Sequence, residues 1–264
     1  MSEKAGRRIF GAISVLVLIF TMAPIMMIFL GSLSADDFFS FPLRNGLSLR
    51  WFQAFLTSKE FAASLRVSMV VSLSATVIGV GAGVPTAFAI KRFAFKGRTA
   101  INTTVMASMT LPRVIWAIAL LQFYSTLGIL GSYTGLILAH SLLVIPYVVR
   151  MVLSSLSFVN PDVENAALSL GATPVKTFFK ITIPLIAPGV IVSAFFGFVV
   201  SFTDSVVAVF ISGVRNITFP VRIYAEQRGQ GLDLEAVAGS AIIILVIIVV
   251  EMVGEKLFKW SRFV

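Results

Sequence analysis

Residues 160–189 read NPDVENAALSLGATPVKTFFKITIPLIAPG, a block rich in helix punctuation between two long apolar stretches. Asn160 is a favoured N-cap, and Pro161 suits the first helical position, where a missing N–H costs nothing. Asp162 and Glu164 fall in the first turn, where the helix dipole favours negative charge. Val163, Ala166, Ala167 and Leu170 recur at helical spacing and predict one apolar face, small in its middle. Gly171 can take the left-handed conformation that ends a helix. Thr173-Pro174 repeats the start signal, a second short helix is expected toward Ile181, and Pro184 is expected to turn the chain back into the apolar stretch that follows. The sequence therefore predicts helix, bend and helix in a surface block.

The rest of the chain is built for lipid. Of 264 residues, 58% are hydrophobic and only 12% charged, and the mean hydropathy is +0.98. Soluble domains carry about 25% charged residues, so too few polar side chains are present to cover a water-facing surface. Apolar stretches of about 20 residues are the natural unit. Six are expected, at residues 9–33, 62–90, 101–127, 132–156, 184–211 and 236–256, with the block 160–183 between the fourth and fifth. The whole chain then reads as one all-α transmembrane domain. The first stretch is too long for a signal-peptide core, and no small-residue cleavage site follows, so it reads as a retained anchor. The second contains GVGAGVPTAFA, small residues that let membrane helices approach closely.

Net charge is +9, but the bases stand in short clusters beside apolar runs, which points to membrane topology and away from nucleic acid. An even number of spans puts both termini on one side. Thirteen Lys/Arg fall on that side, seven fall on the other, and Arg113 lies inside a span, which completes the 21. The tight cluster KRFAFKGR, residues 91–98, marks the richer side as cytoplasmic, and the block 160–183 goes with it. Small interfacial helices carry bases on their polar face. The helix after Asn160 has two acids and no base, which suits a protein cleft better than anionic headgroups.

Ala166-Ala167, three residues, Gly171, nine residues, Ile181, then Ile183-Pro184 resembles the EAA loop of ABC importer permeases, EAA-x3-G-x9-I-x-LP. The likeness runs along most of the chain. KRFAFKGR is similar to the basic loop after that family's second span. LPRVIWAIALLQFY (111–124) looks like the segment that opens the family's third functional stretch, and SFTDSVVAVFISG (201–213), ITFPVRIY (217–224) and GLDLEAVAGSAIII (231–244) resemble the second permease subunit of the spermidine/putrescine branch. The resemblance implies the type I importer permease fold, six spans with a cytoplasmic coupling helix between the fourth and fifth. It implies four kinds of partner: a second permease subunit, two copies of an ABC ATPase that binds ATP-Mg, a periplasmic binding protein, and membrane lipid. Glu164, Asn165, Ala166, Ala167, Gly171, Ile181 and Pro184 would then couple to the ATPase. A polyamine-like solute follows from the branch.

Two departures stand out. The family's glutamate position is Asn165 here, with Glu164 one residue earlier. One step turns a side chain by about 100°, so Glu164 cannot occupy the same face, and ATPase contact needs either an Asn hydrogen bond or a re-aimed Glu164. The second departure is Arg113, where polyamine permeases commonly carry an acid. A straight helix from Ile101 places Arg113 roughly 18 Å deep, and one from Pro184 places Asp204 about 30 Å up, so their depths differ by around 10 Å. Charge at such depth costs about 2.5–3.5 kcal/mol on insertion scales. Two readings stay open: Arg113 lines the translocation path and attracts a carboxylate or phosphonate, or it is a structural partner of Asp204 through a long side chain and water. Gln122 and Tyr124 are further candidates for the path, and Asp204 for its outer part. An anionic or zwitterionic solute is the matching alternative to a polyamine.

Other features receive plainer readings. His140 is expected to be a packing histidine, and Trp51 and Trp260 interfacial anchors. The segment 34–61 is too polar to span. It either receives a loaded binding protein or lies along the outer interface with Trp51 and Phe52 in lipid. No GxxxxGK[ST] phosphate loop, HExxH or nucleophile–base pattern occurs, and the chain has no cysteine and one histidine. Catalysis and a resident cofactor are therefore not expected in this chain. A self-contained secondary transporter or channel remains the alternative from another class, and it would have no need of the block 160–183.

Overall fold

The computed structural model describes residues 3–39, 43, 45–230 and 233–258. Arg44, Lys259, Trp260 and Arg262, used above for topology and anchoring, lie outside them. Twelve α-helices and one π-helical turn follow in order: α1 (Glu3–Ser32), α2 (Arg50–Thr57), α3 (Lys59–Arg92), α4 (Arg98–Ser108), α5 (Arg113–Thr126), α6 (Tyr133–Ser157), α7 (Pro161–Ser169), α8 (Pro174–Thr177), the π turn Phe178–Thr182, α9 (Ile183–Phe202), α10 (Val206–Ile211), α11 (Phe219–Gln230) and α12 (Leu234–Phe258). Among the described residues, five stretches are long and apolar enough to cross a membrane, and six if the bent pair α4–α5 counts as one. An all-helical solution is what lipid requires, because each helix satisfies its own backbone.

Two of the expected spans are interrupted. The stretch 101–127 is broken at Thr110–Pro112, and α4 and α5 meet at 104°. Pro112 has no N–H and disfavours helical geometry in the residue before it. Trp116 steadies the corner by donating its indole N–H to the Ser108 carbonyl at 3.3 Å. The stretch 184–211 is broken at Thr203–Ser205 into α9 and α10. In the opposite sense, the turn expected at Pro184 does not occur. Residues Pro174–Phe202 form one continuous apolar helix, with the π turn immediately ahead of the proline. There Ile183 N–H reaches back five residues to the Phe178 carbonyl. The wider π ring accommodates a residue that cannot donate and would crowd the carbonyl four positions back.

The chain divides into two compact units. One comprises the described residues of Met1–Ala62 and Ile223–Val250, the other those of Ala63–Arg222 and Glu251–Val264. In the first, residues 34 and 47 form an isolated antiparallel bridge, Arg50 pairs with Asp37 at 2.8 Å, and the Arg50 guanidinium sits 4.5 Å over the Trp51 ring. Trp51 and Phe52 are both half-buried. Phe55 of α2 packs on Phe61 and lies where a side chain at Gly239 would fall.

The second unit is organised around α6. Val144 is fully buried, and its Cγ1 would lie 2.5 Å from a Cβ at Gly79 of α3 and 2.7 Å from one at Gly197 of α9. Val148 meets Gly83 in the same way, at 2.7 Å. Small residues on α3 and α9 thus let three backbones close on the valines of α6, as membrane packing favours. A second cluster joins Val67 and Val71 of α3, Ala117, Leu120 and Tyr124 of α5, Ala139 of α6, and Val207 and Ile211 of α10.

Candidate functional site: a capped helix block and two ion pairs

Local chemistry shapes the block as its sequence predicts. The Asn160 side chain accepts from Asp162 N–H at 3.0 Å, and Pro161 opens α7. Thr173 accepts from Lys176 N–H at 3.3 Å, and Pro174 opens α8. At the end of α7, Ala172 N–H bonds the Ala167 carbonyl and Gly171 N–H the Leu168 carbonyl, both at 3.0 Å. These are the two bonds of a Schellman motif. Gly171 adopts φ +85°, a conformation costly for any residue with a Cβ. The spacing from Ala167 to Gly171 is therefore the spacing from a helix's last turn to its left-handed stop.

The orientation of α7 overturns one expectation. Glu164 is not presented at the surface for a partner. It is buried, forms an ion pair with Arg92 of α3 at 2.8 Å, and accepts from Thr182 Oγ1 of the π turn at 2.9 Å. Arg92 also donates to the Val159 carbonyl at 3.2 Å, and its neighbour Lys91 donates to Ser157 Oγ at 3.0 Å. The polar contact turned inward leaves the apolar side out. Asn165 and Ala166 are exposed, Val163 and Leu168 are nearly half exposed, and Leu170 is 90% exposed. Val175 and Phe179, in the segment that follows, are also exposed. Of the remaining positions, Ala167 and Ile181 are half-buried and Pro184 is exposed.

The second polar site lies where both interrupted spans break. Arg113, first residue of α5, bonds Asp204 Oδ1 through Nη1 at 2.9 Å. Asp204 Oδ2 accepts from the Val207 and Ala208 N–H groups at 2.9 and 3.2 Å and so caps α10. The contact is direct, where a 10 Å offset along straight helices implied a water between the two groups. Counting 1.5 Å per residue fails because α5 restarts at 104° to α4, and because α9 continues a helix that begins ten residues before Pro184. Of the two readings of Arg113, the pair with Asp204 is formed, as a direct contact without an intervening water. Asp204 is fully sealed, whereas the Arg113 side chain is 40% exposed. Arg113 lines a small cavity with Ser108, Leu111, Trp116, Pro146 and Tyr147 among its walls.

Gln122 is exposed on α5, but Tyr124 is buried in the second cluster with Val67, Val71 and Ile211. His140 is buried with Nδ1 2.9 Å from Ser201 Oγ, while Nε2 has no hydrogen-bond partner among the described residues, so the packing histidine is only half satisfied. Sequence reasoning missed Arg92 and Thr182 as partners of Glu164. The available signals were the only acid on the inner side of α7 and a basic residue ending a 34-residue helix.

Long apolar helices, a bent helix pair with a small cavity beside it and a capped block with exposed apolar side chains are thus combined in one membrane chain. Residues 75–260 match the family described as binding-protein-dependent transport system inner membrane component, and the chain belongs to that family. It is 28% identical over 207 residues to the spermidine/putrescine transport system permease protein PotC of Haemophilus influenzae, covering 78% of this chain and 80% of that one. It is 29% identical to the putrescine transport system permease protein PotI of Escherichia coli K12, covering 83% and 80%. Among solved structures, a bacterial ABC transporter involved in import of the acidic polysaccharide alginate matches with TM-score 0.68 and 20% identity, over 95% of this chain and 97% of that one. The MetNI methionine ABC transporter matches with TM-score 0.61 and 14% identity, over 77% and 98%. The fold is thus that of ABC importer permeases, in which this family is a membrane component and not a catalytic one.

Proposed function

We propose that this chain forms half of the translocation path of an ATP-driven, binding-protein-dependent importer, beside a second permease subunit. The observation that carries the reading is α7, capped at both ends and held with its apolar face bare. That face, with Asn165 at its polar edge, docks on an ABC ATPase, two copies of which bind and hydrolyse ATP-Mg. ATP shifts the permease between outward and inward openings only by favouring one of them. The block and both termini face the cytoplasm, and a periplasmic binding protein delivers the solute from the other side.

The names of the similar permeases make a polyamine the first solute to test. A second reading, an anionic or zwitterionic solute, is favoured by Arg113, whose side chain stays 40% exposed beside the cavity while one of its nitrogens pairs with Asp204. A mild-detergent pull-down of the tagged chain from its host after cross-linking in the membrane tests both. A P-loop ATPase and a second multi-span subunit are the expected companions, and the binding protein encoded beside them is then assayed with putrescine, spermidine, aminoethylphosphonate and glutamate. A chain recovered alone after cross-linking defeats the importer reading. Recovery with its partners and a binding protein that takes only the acidic compounds moves the solute to the second class.

A further inference from the structure

The Glu164–Arg92–Thr182 cluster ties together three elements that the sequence places far apart. Glu164 stands on α7, Arg92 is the last residue of α3, and Thr182 closes the π turn that leads into α9. The pair is nearly sealed, with side-chain exposures of 12% for Arg92 and 9% for Glu164, and Thr182 is fully buried. Oε1 accepts from Thr182 Oγ1, and Oε2 sits 2.8 Å from Arg92 Nε as an ion pair whose N–H is not aligned for a hydrogen bond. Arg92 further holds the Val159 carbonyl, just before the α7 cap. A charge pair in such a place is costly to desolvate and stabilises less than its Coulomb energy implies, but removing one member strands the other. The arrangement therefore resists partial opening.

We infer that Glu164 is a positioning residue that transmits force and does not touch the ATPase. It locks α7 to α3 and to the helix that continues as α9, so that a push on the bare face of α7 moves those helices with it and does not merely rock a short helix on its loops. Nothing else of comparable strength holds the inner side of α7 among the described residues, since the helix buries only Glu164. The inference rests on the docking reading of α7 given above. It also separates two roles that adjacent residues play, Asn165 outward and Glu164 inward.

The full chain contains no cysteine, so a single Leu111→Cys in the cavity wall reports on that wall through maleimide labelling read on this chain's own band. The complete complex is compared with and without ATP-Mg and vanadate. In the otherwise unchanged chain, trapping should alter the labelling rate about tenfold. Glu164→Gln should retain the ATPase and trap nucleotide, yet change labelling less than twofold per nucleotide trapped. Thr182→Val, which keeps the ion pair, should fall between, at about threefold, and it decides the matter if Glu164→Gln does not fold. A full response in Thr182→Val, or in Glu164→Gln, overturns the inference. So does loss of the ATPase from Glu164→Gln with a normal Thr182→Val, which would put Glu164 at the ATPase contact. A parent chain that retains no ATPase defeats the docking reading of α7 itself, before any variant is compared.

Discussion

Arg92–Glu164 and Arg113–Asp204 have the same chemistry and nearly the same length, 2.8 and 2.9 Å, but they are built differently. In the first, acid and base are both sealed and the carboxylate bridges three elements. In the second, the acid is sealed and serves two backbone N–H groups, while the base keeps one side open to a cavity. A pair closed on both sides fixes elements to one another. A pair closed on one side holds a charge in place while leaving part of it available to a visitor. Distance alone does not distinguish the two, but the exposure of each partner does.

Removing the base from each pair tests this contrast. Arg92→Met leaves the buried Glu164 with one hydroxyl donor and should have the largest effect, a loss of about 3–5 kcal/mol, as for other broken buried pairs, measured by SDS-titrated unfolding. Arg113→Met should cost less, about 1.5–3 kcal/mol, the scale of one charged hydrogen bond, because Asp204 keeps both α10 N–H groups. Equal losses would mean that those N–H groups do not compensate the carboxylate. Asn165→Ala sharpens the comparison at the small end. An exposed side chain should change stability by less than about 0.5 kcal/mol, yet the fraction of ATPase retained in the purified complex should fall, which the same preparation measures by band intensity.

The sequence made legible whatever is local. Asn160-Pro161, Gly171 and Thr173-Pro174 act within a few residues, and each bond they imply is formed. The resemblance of the EAA-like spacing led to the family, and the spacing itself has a backbone reason in the Ala167–Gly171 stop. What depended on distant segments was illegible. Arg92 and Glu164 are far apart in the chain, and α7 turned its one inner acid, not its apolar stripe, toward the protein, against the usual hydrophobic rule, because the stripe faces outward. The direct contact of Arg113 and Asp204 was illegible for a different reason. Thr110-Leu111-Pro112 and Thr203-Asp204-Ser205 interrupt their helices, and a straight-rod count has no meaning across an interruption. Pro184 misled in the opposite direction, since a π turn carried the helix through it.

That π turn has a mechanical consequence. Because it keeps Pro174–Phe202 continuous over 29 residues, the stretch is a lever about 43 Å long at 1.5 Å per residue. Its near end begins beside α7, and its far end, Phe202, stops directly before Thr203-Asp204. A tilt of about 10° about the Pro174 end sweeps the far end through roughly 7 Å on that length, more than the width of a guanidinium group. A small rotation at the Pro174 end is thus geometrically sufficient to make or break a hydrogen bond at the cavity wall.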